Sequence, residues 1–295
     1  MFDAYEVIRN APMREYTTLK LGGPADWLAF PRNGEEIAGL IREAREAGMP
    51  VTVIGHGSNL LVLDGGIRGL TIRIGRNMRE IRRNGNRLEA QAGAMLSALA
   101  AAAADAGLAG LEFAGGIPGT VGGGLAMNAG AYDGEMSQVT AGAEGLTPEG
   151  KAIRLNREEL AFGYRTSAIQ GSGIIITKAE FILEPGEGKA IREKMAELNR
   201  RRAEKQPLDQ PSAGSTFKRP KGGFAAALID QCGLKGFRCG GAQVSTKHAG
   251  FLINRGSSSR DFLDLMRKVA EAVEKETGIR LEPEIRVIGE EEAAS

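Results

Sequence analysis

The chain has 295 residues and a formal net charge of +1, from 38 lysine and arginine residues against 37 aspartate and glutamate residues. This balance excludes the electrostatic signature of a protein that binds nucleic acid or a membrane surface. Hydrophobic residues make up 42% and charged residues 25% of the chain, which is typical of a soluble globular protein and excludes extensive disorder. Glycine is unusually frequent, because 42 glycines are about 14% of the chain against a usual ~7%.

The first residues and the content of cysteine and histidine limit the compartment and the chemistry. Residues 1–6 lack the positive start and the apolar stretch of a signal peptide, and the apolar run at 98–104 is too short to span a bilayer. Cys232 and Cys239 form no Cys-x-x-Cys pair, and the chain has only 2 histidines, so we predict neither a disulfide framework nor a metal site. We therefore expect a cytoplasmic protein that binds neither nucleic acid nor a membrane.

Hydrophobic periodicity predicts a mixture of helices and strands in the first part of the chain. Residues 33–48 have the period of an amphipathic helix, which Asn33 and Glu36 cap and Pro50 ends. The predicted elements that follow are strands at 51–54, 60–63, 70–74 and 88–91, an alanine-rich helix at 94–106, a glycine-dense loop at 107–134, a hairpin at 139–155 and a strand at 174–183.

The character of the chain changes near Pro185. The predicted elements beyond it are a charged helix at 189–205, helices at 224–232 and 258–277, and short strands near 250–254 and 280–288. Because strands and helices do not alternate regularly, we predict an α+β fold rather than a doubly wound sheet. Length and this change of character together predict a first domain at residues 1–187 and a second domain at 188–295.

The first glycine-rich segment follows a predicted strand and reads Gly55-His56-Gly57-Ser58-Asn59-Leu60. It lacks the third glycine and the helix start of a dinucleotide fingerprint, and no Gly-Lys-Ser/Thr sequence completes a P-loop. The segment is instead predicted to join two strands. Its backbone N–H groups, with the side chains of Ser58 and Asn59, are suited to hold a diphosphate.

The second segment reads Gly115-Gly116-Ile117-Pro118-Gly119-Thr120-Val121-Gly122-Gly123-Gly124 and is followed by Asn128 and Gly130. So few side chains let a large, flat molecule lie against the main chain, with amide groups as its polar contacts. A flexible surface loop is the alternative interpretation. Ile117, Val121 and Met127 make the segment more apolar than a solvated linker, and so favour a binding role.

Together these segments resemble the UDP-N-acetylenolpyruvoylglucosamine reductase family, flavoenzymes of bacterial peptidoglycan precursor synthesis. Further stretches similar to the family's motifs follow the same order at residues 17–25, 162–167, 213–218 and 281–286. The resemblance implies an FAD-binding fold of the vanillyl-alcohol-oxidase (PCMH) type in two lobes, of about residues 1–75 and 76–187, and a C-terminal α+β substrate domain at 188–295. The short stretch from Arg165 to Lys205 indicates the shorter form of the enzyme, without a substrate-covering insertion.

The resemblance also implies a reaction, the reduction of UDP-N-acetylglucosamine enolpyruvate to UDP-N-acetylmuramate. NADPH is the implied co-substrate, FAD is the cofactor, and hydride passes from the flavin N5 to the terminal vinyl carbon. Arg165 is expected to bind the substrate carboxylate, with Glu284, protonated or bridged, on its other side. Ser215 is expected to donate the proton, and Lys218 and Arg219 follow it closely as cationic neighbours.

The binding residues that the resemblance implies form two groups. The expected FAD contacts are Gly55, His56, Gly57, Ser58, Asn59, Leu60, Gly115, Gly116, Ile117, Pro118, Gly119, Thr120, Gly122, Gly123, Asn128 and Gly130. The expected substrate contacts are Tyr164, Lys205, Lys218, Arg219 and Arg286. Arg219 stands where family members often carry asparagine. Because His56 lies in a segment suited to a diphosphate, we expect non-covalent FAD rather than a flavin attached to this histidine.

Alternatives remain open at this point. An FAD-dependent sugar or alcohol oxidase of the same fold would keep the glycine segments but would have no use for Arg165, Ser215 and Glu284 together. A flavin-binding module without catalysis would show no turnover. Each of the three residues also has an ordinary structural interpretation, as a surface ion-pair partner, a turn residue and a strand-edge charge respectively.

Overall fold

The computed structural model describes residues 1–292 and divides the chain into two compact units. The first unit comprises Met1–Ile8, Trp27–His56 and Gly69–Arg202, and the second comprises Arg9–Asp26, Gly57–Arg68 and the chain from Ala203 onward. These units do not follow the boundary that we placed between residues 187 and 188. Composition along the chain does not locate them, because segments far apart in sequence pack together. The division at 187/188 therefore stays a prediction about domains.

Seven helices lie within residues 1–292: α1 Gly34–Glu46, α2 Leu96–Asp105, α3 Val121–Ala126, α4 Met136–Val139, α5 Gly188–Lys205, α6 Ala225–Gln231 and α7 Ser259–Thr277. Their ends agree with local chemistry. The side chain of Asn33 accepts the N–H of Glu36 at 2.9 Å at the start of α1. The side chain of Ser258 accepts the N–H of Arg260 at the start of α7, which ends at Gly278 in the left-handed conformation (φ +71°).

The strands, in chain order, are β1 Val7–Pro12, β2 Pro24–Ala29, β3 Val51–Ile54, β4 Leu60–Val62, β5 Ile67–Arg73, β6 Ile81–Asn84, β7 Arg87–Gln91, β8 Leu108–Ala109, β9 Gly130–Ala131, β10 Gly134–Glu135, β11 Thr140–Leu146, β12 Ala152–Asn156, β13 Ile175–Ile182, β14 Glu184–Pro185, β15 Ser212–Ser215, β16 Arg238–Cys239, β17 Ala242–Val244, β18 Phe251–Asn254 and β19 Arg286–Ile288. Short 3-10 turns occur at Met13–Glu15 and Glu112–Gly116.

The first unit contains a five-stranded sheet and part of a second sheet. A five-stranded antiparallel sheet has the order β12-β11-β13-β7-β6. A second sheet has the order β1-β2-β5-β3, and its β3 runs parallel to β5. The buried core of this unit includes Ala90 and Phe181 from the first sheet, and Leu99 and Ala103 from α2. The alanines on one face of α2 are buried in this core, which fixes the helix that precedes the second glycine segment.

The second unit has its own core and a four-stranded antiparallel sheet of order β15-β18-β17-β16. The helix α7 buries a periodic apolar face, with Phe262, Leu265 and Val269 packed in the same cluster as Val244 and Leu252. The strand β19 pairs in parallel with β4, so that Arg286 lies opposite Leu60. This pairing joins the first glycine segment to the last motif of the chain.

Most predicted elements are confirmed within a few residues, including α1, the hairpin β11–β12 and α5. Several expectations were wrong in detail. The loop predicted at 107–134 contains the short helix α3, which Thr120 caps, and the short strands β8 and β9. The strand predicted at 280–288 forms only over its last three residues. The strands that were not predicted include β1, β2, β6, β15, β16 and β17. None of the helices in residues 1–292 is long and apolar enough to cross a membrane.

Candidate active site

The two glycine-rich segments adjoin in the first unit at Gly55 and Thr120. A Cβ built on Gly55 would lie 2.4 Å from Oγ1 of Thr120, so only glycine fits this position. The same Oγ1 accepts the N–H of Gly123 at 3.4 Å where α3 begins. The two segments are far apart in the sequence, and in the structure Gly55 of the first lies next to Thr120 of the second.

The glycines of the second segment do not all leave open space. Most of those at 115–124 face atoms of this chain: a Cβ on Gly116 would lie 2.6 Å from Oδ1 of Asn199, and one on Gly122 would lie 3.1 Å from Cβ of Ala92. Gly123 is different, because it is exposed and its added Cβ would meet only Oγ1 of Thr120, at 3.4 Å. Among the glycines at 115, 116, 122, 123 and 124, Gly123 is therefore the one whose backbone is most open to a ligand.

At Gly57, in the second unit, backbone conformation and packing against the chain itself require glycine. Its φ is +74°, and an added Cβ would lie 2.3 Å from the carbonyl oxygen of Tyr16. Its own carbonyl accepts the N–H of Thr18 at 3.2 Å. A side chain at Gly57 would disturb this packing before it met any cofactor, so loss of flavin in a Gly57 variant would not identify a flavin contact.

Arg165 lies in a tight turn next to the second glycine segment. Gly163 and Thr166 close the turn with mutual backbone hydrogen bonds of 3.0 and 3.3 Å, and Arg165 has a positive φ of +56°. Its Nη1 donates to the carbonyl of Gly130 at 3.2 Å. The side chain of Asn128 donates to the carbonyl of Gly163 at 3.1 Å and ties the turn to the segment. The turn, in which Arg165 has an uncommon backbone conformation, and the hydrogen bond to the carbonyl of Gly130 thus hold the guanidinium in place.

Tyr164 and Arg165 contact each other. The Arg165 guanidinium carbon lies 5.6 Å from the centroid of the exposed Tyr164 ring, within cation–π range. The aromatic side chain that was predicted to contact substrate is therefore next to the predicted carboxylate ligand.

Arg202, in the last turn of α5, was missed by sequence reasoning. Its Nη1 would lie 3.1 Å from a Cβ on Gly116, so it covers part of the glycine segment. Burial is the main cause that lowers the pKa of Arg202. Tyr132 acts in the opposite direction, and the charge of Arg165 lowers the pKa further. Two nearby guanidinium groups are suited to an anionic group.

A sequence signal for Arg202 did exist. Met195, Asn199 and Arg202 are spaced by four and three positions, so they share one face of a helix. Met195 and Asn199 are the neighbours that a Cβ on Gly115 would meet, which confirms that this face lies over the glycine segment. The sequence analysis assigned no role to the three arginines at 200–202.

In the second unit, Ser215 and Glu284 lie on neighbouring backbone segments. Ser215 ends β15 opposite Phe251 of β18. The N–H of Glu284 donates to the carbonyl of Thr216, the residue after Ser215, at 2.8 Å. The side-chain amide of Asn59 donates to the carbonyl of Glu284 at 3.0 Å. The structure thus groups two predicted catalytic residues with one residue of the first glycine segment.

The predicted substrate cations of the second unit have different surroundings. The ammonium of Lys218 lies 3.6 Å from a carboxylate oxygen of Glu282. The backbone N–H of Lys218 donates to the backbone carbonyl of Glu282 at 2.8 Å. The guanidinium of Arg219 lies 4.0 Å from the centroid of the Phe224 ring. Lys205 and Arg286 are exposed. Glu282 therefore offsets part of the Lys218 charge that was expected to act on Ser215.

His56, in the first unit, is held neutral by its surroundings. It is half-buried, and burial is the main cause that lowers its pKa, with the charge of Arg73 as a second cause. Across residues 1–292, the His, Cys, Asp and Glu side chains form no group of three or more that is suited to a metal ion.

The predicted catalytic residues are divided between the units. Arg165 belongs to the first, whereas Ser215 and Glu284 belong to the second. The joint action of Arg165 and Glu284 on one carboxylate therefore stays a prediction, and so do the individual contacts assigned to FAD and to the substrate.

Comparisons with known proteins match both parts of the chain. Residues 25–156 match the FAD binding domain family, and residues 206–288 match the family described as UDP-N-acetylenolpyruvoylglucosamine reductase, C-terminal domain. The UDP-N-acetylenolpyruvoylglucosamine reductase of Levilactobacillus brevis is 50% identical over 291 residues, which are 98% of this chain and 95% of that protein. The enzyme of the same name from Clostridium novyi is 47% identical over 292 residues, 99% of this chain and 95% of that protein.

A solved structure is similar over almost the same extent. The crystal structure of UDP-N-acetylenolpyruvylglucosamine reductase (MurB) from Thermus caldophilus has a TM-score of 0.82 and 38% identity, and the match covers 96% of this chain and 98% of that chain.

Proposed function

The chain belongs to the UDP-N-acetylenolpyruvoylglucosamine reductase family, and from this we infer that it reduces UDP-N-acetylglucosamine enolpyruvate to UDP-N-acetylmuramate in peptidoglycan precursor synthesis. The observation that carries the inference is identity of 50% over 98% of the chain. The predicted α+β fold, with a PCMH-type FAD domain and a C-terminal domain, is confirmed, as are the enzyme class and the use of FAD and NADPH. Family membership decides against the oxidase and the non-catalytic module.

The first unit fits a flavin at its glycine segments. Gly123 offers exposed backbone, and Gly55 adjoins the residue that caps the helix beginning there. Main chain that is exposed and carries no side chain suits contact with a large planar ring system. FAD held there would supply the hydride transfer between NADPH and the enolpyruvyl double bond of the substrate.

Arg165 is proposed to bind the carboxylate of the enolpyruvyl group. Its guanidinium is already oriented by the bond to Gly130 and by the Tyr164 ring. A forked donor set gains strength as negative charge grows on the carboxylate during enolate formation, so the interaction is stronger in the transition state than in the bound substrate. Glu284 is proposed to share this carboxylate in its protonated or hydrogen-bonded form, because two bare carboxylates would repel each other.

Ser215 is proposed to give its Oγ proton to the vinyl carbon next to the carboxylate. The residue is half-buried at the end of β15, and backbone bonds on both sides of Thr216 fix the strand that carries it. A serine hydroxyl is a weak acid, so nearby cations must stabilise the alkoxide. Lys218 and Arg219 are the candidates closest in sequence.

The diphosphate of the nucleotide sugar is proposed to contact the exposed cations Lys205 and Arg286, together with Lys218 and Arg219. The formal net charge of +1 supports a small anionic substrate rather than a nucleic acid as the partner. The cytoplasm, which supplies NADPH and nucleotide sugars, is the proposed location.

Stopped-flow spectroscopy tests the proposal in two half-reactions. The purified protein should be yellow, with absorption near ~450 nm, a general property of bound oxidised flavin. Anaerobic NADPH should bleach it, and the enolpyruvyl nucleotide should restore the colour in a single turnover and yield UDP-N-acetylmuramate. Bleaching by a sugar or alcohol in place of NADPH would contradict the proposal, and so would reoxidation by oxygen alone with no effect of the enolpyruvyl nucleotide.

A further inference from the structure

His248 lies in the turn before β18 and contacts the backbone two residues ahead. The N–H of Gly250 donates to Nδ1 of His248 at 3.2 Å. A Cβ on Gly250 would lie 3.1 Å from Cε1 of the ring, so glycine lets the ring approach the main chain this closely. A nitrogen that accepts a hydrogen bond carries no proton, so the arrangement requires a neutral imidazole with its proton on Nε2.

The same turn is bonded to the strand that carries Ser215. The carbonyl of Gly250 accepts the N–H of Thr216 at 2.9 Å, and the N–H of Leu252 donates to Oγ1 of Thr216 at 3.2 Å. Phe251 pairs with Ser215 and also packs edge-on against the His248 ring, at 5.0 Å between centroids. The ring of His248 is thus two hydrogen bonds away from the backbone beside Ser215.

The strand before Ser215 gives little support of its own. The pairing between β15 and β18 is irregular between Ser212 and Ser215, and Gly214 has a positive φ of +77°. An added Cβ on Gly214 would have no neighbour within 4 Å. Ser215 is therefore placed mainly by the bonds on its C-terminal side, which include those from Gly250 and Leu252.

The charges that face His248 favour its neutral form. Burial is the main cause that lowers its pKa. A hydrogen bond with its own backbone acts in the opposite direction, and the charges of Lys235 and Lys205 lower the pKa further. Protonation would place a cation among these lysines and would remove the acceptor for the Gly250 N–H.

We propose that neutral His248 is a positioning residue for Ser215, holding the turn at Gly250 so that the Ser215 hydroxyl faces the substrate. The inference rests on the proposed role of Ser215 as proton donor. In acid, protonated His248 releases the Gly250 N–H, and the step that needs the Ser215 proton slows. Reduction of the flavin by NADPH needs no such proton and stays unaffected.

Nitrogen NMR of the holoenzyme tests the protonation state directly. The chain has 2 histidines, so the signals lost in His248→Asn belong to His248. The expected result is an Nε2–H tautomer with a pKa below the ordinary value of 6.5. An Nδ1–H tautomer would overturn the proposal, because Nδ1 could then not accept the bond from Gly250.

Kinetics of the two half-reactions test the consequence. In His248→Ala, flavin reoxidation by the enolpyruvyl nucleotide should slow about 10-fold at pH 8, the rate equivalent of one ordinary hydrogen bond, with NADPH reduction unchanged. In His248→Asn, the side-chain oxygen reaches the N–H two residues on, as in an Asx turn, so the rate should return and the acid limb should disappear. Thr246→Ala, at an exposed position of the same turn, is the matched control. It should keep the wild-type rate of reoxidation and the acid limb of its pH profile.

The outcomes separate the proposal from the assignment on which it rests. Slow reoxidation in Ser215→Ala together with wild-type behaviour in His248→Ala would overturn the role of His248 alone. An acid limb that persists in His248→Asn would do the same. Fast reoxidation in Ser215→Ala would overturn the proton-donor assignment, and the positioning role with it, even if NMR found the expected tautomer.

Discussion

The side-chain amide of Asn59 donates a 3.0 Å hydrogen bond to the backbone carbonyl of Glu284, 225 positions later in the chain. The N–H of Arg286 in turn donates to the carbonyl of Asn59 at 3.0 Å, and β4 and β19 continue the pairing from there. A residue that sequence reasoning assigned to the flavin diphosphate therefore also determines where the backbone of a catalytic carboxylic acid lies.

Asn59→Ala is expected to impair both stability and chemistry. Loss of the bond leaves the carbonyl of Glu284 without this donor, which should lower the free energy of unfolding by about 1 kcal/mol and slow flavin reoxidation. Urea unfolding and stopped-flow measurements check the two effects. Glu284→Gln is the matched control, because the bond reaches the backbone: it should slow reoxidation and keep the stability. Wild-type stability and rate in Asn59→Ala would contradict the role of this bond.

Ser215→Ala is expected to separate the two half-reactions. Flavin reduction by NADPH should stay near the wild-type rate, because no substrate proton is needed there. Reoxidation by the enolpyruvyl nucleotide should fall on the order of 10²–10⁴-fold, the usual cost of losing a well-placed acid. Rapid mixing under anaerobic conditions measures both rates in one preparation. Equal slowing of the two half-reactions would mean that Ser215 is not the proton donor.

Arg165 and Glu284 are expected to act on one group, the substrate carboxylate. Arg165→Met and Glu284→Gln should each depress reoxidation far more than substrate binding, because developing enolate charge strengthens both contacts. The double variant should lose less than the product of the single losses. A double-mutant cycle on the single-turnover rate measures this coupling. Strictly multiplicative losses would indicate independent roles, as would losses confined to binding.

Gly123→Val is expected to yield colourless protein, because its exposed backbone has room for a ligand and not for a branched side chain beside one. The ratio of flavin to protein absorbance measures the loss, and circular dichroism checks that the fold persists. Gly75→Val is the matched control in the same unit, since a Cβ there has no neighbour within 4 Å, and it should stay yellow. Full flavin content in Gly123→Val would show that this backbone does not contact the cofactor.

The stability of the fold should rise with pH across the range in which His248 loses its proton. Its pKa lies below the unfolded value of 6.5, so the unfolded chain binds more protons between the two values. The contribution is fully present above pH 6.5 and is lost as the pH falls through the lowered pKa. Urea unfolding at several pH values checks this slope. In His248→Asn the slope should be smaller, with His56 contributing what remains, since its pKa is lowered too.

The sequence by itself determined the local structure and the family. Asn33, Ser258 and Gly278 mark helix ends because the hydrogen bonds and backbone angles involved lie within a few residues of each other. The motifs in order were enough to identify the reductase family, which the comparisons confirm. Family membership depends on residue types and their order along the chain, so it can be predicted without the tertiary structure.

Only the tertiary structure decided which distant residues meet. Gly57 is constrained by Tyr16, and Gly116 by Asn199 and Arg202, so neither glycine is explained by a ligand alone. Arg202 was missed because its burial depends on how α5 packs on the glycine segment. Asn59 meets Glu284, and His248 reaches Ser215 through Gly250, by backbone pairings that join distant segments. Such contacts depend on strand pairing and side-chain packing over long sequence separations, which local patterns do not encode.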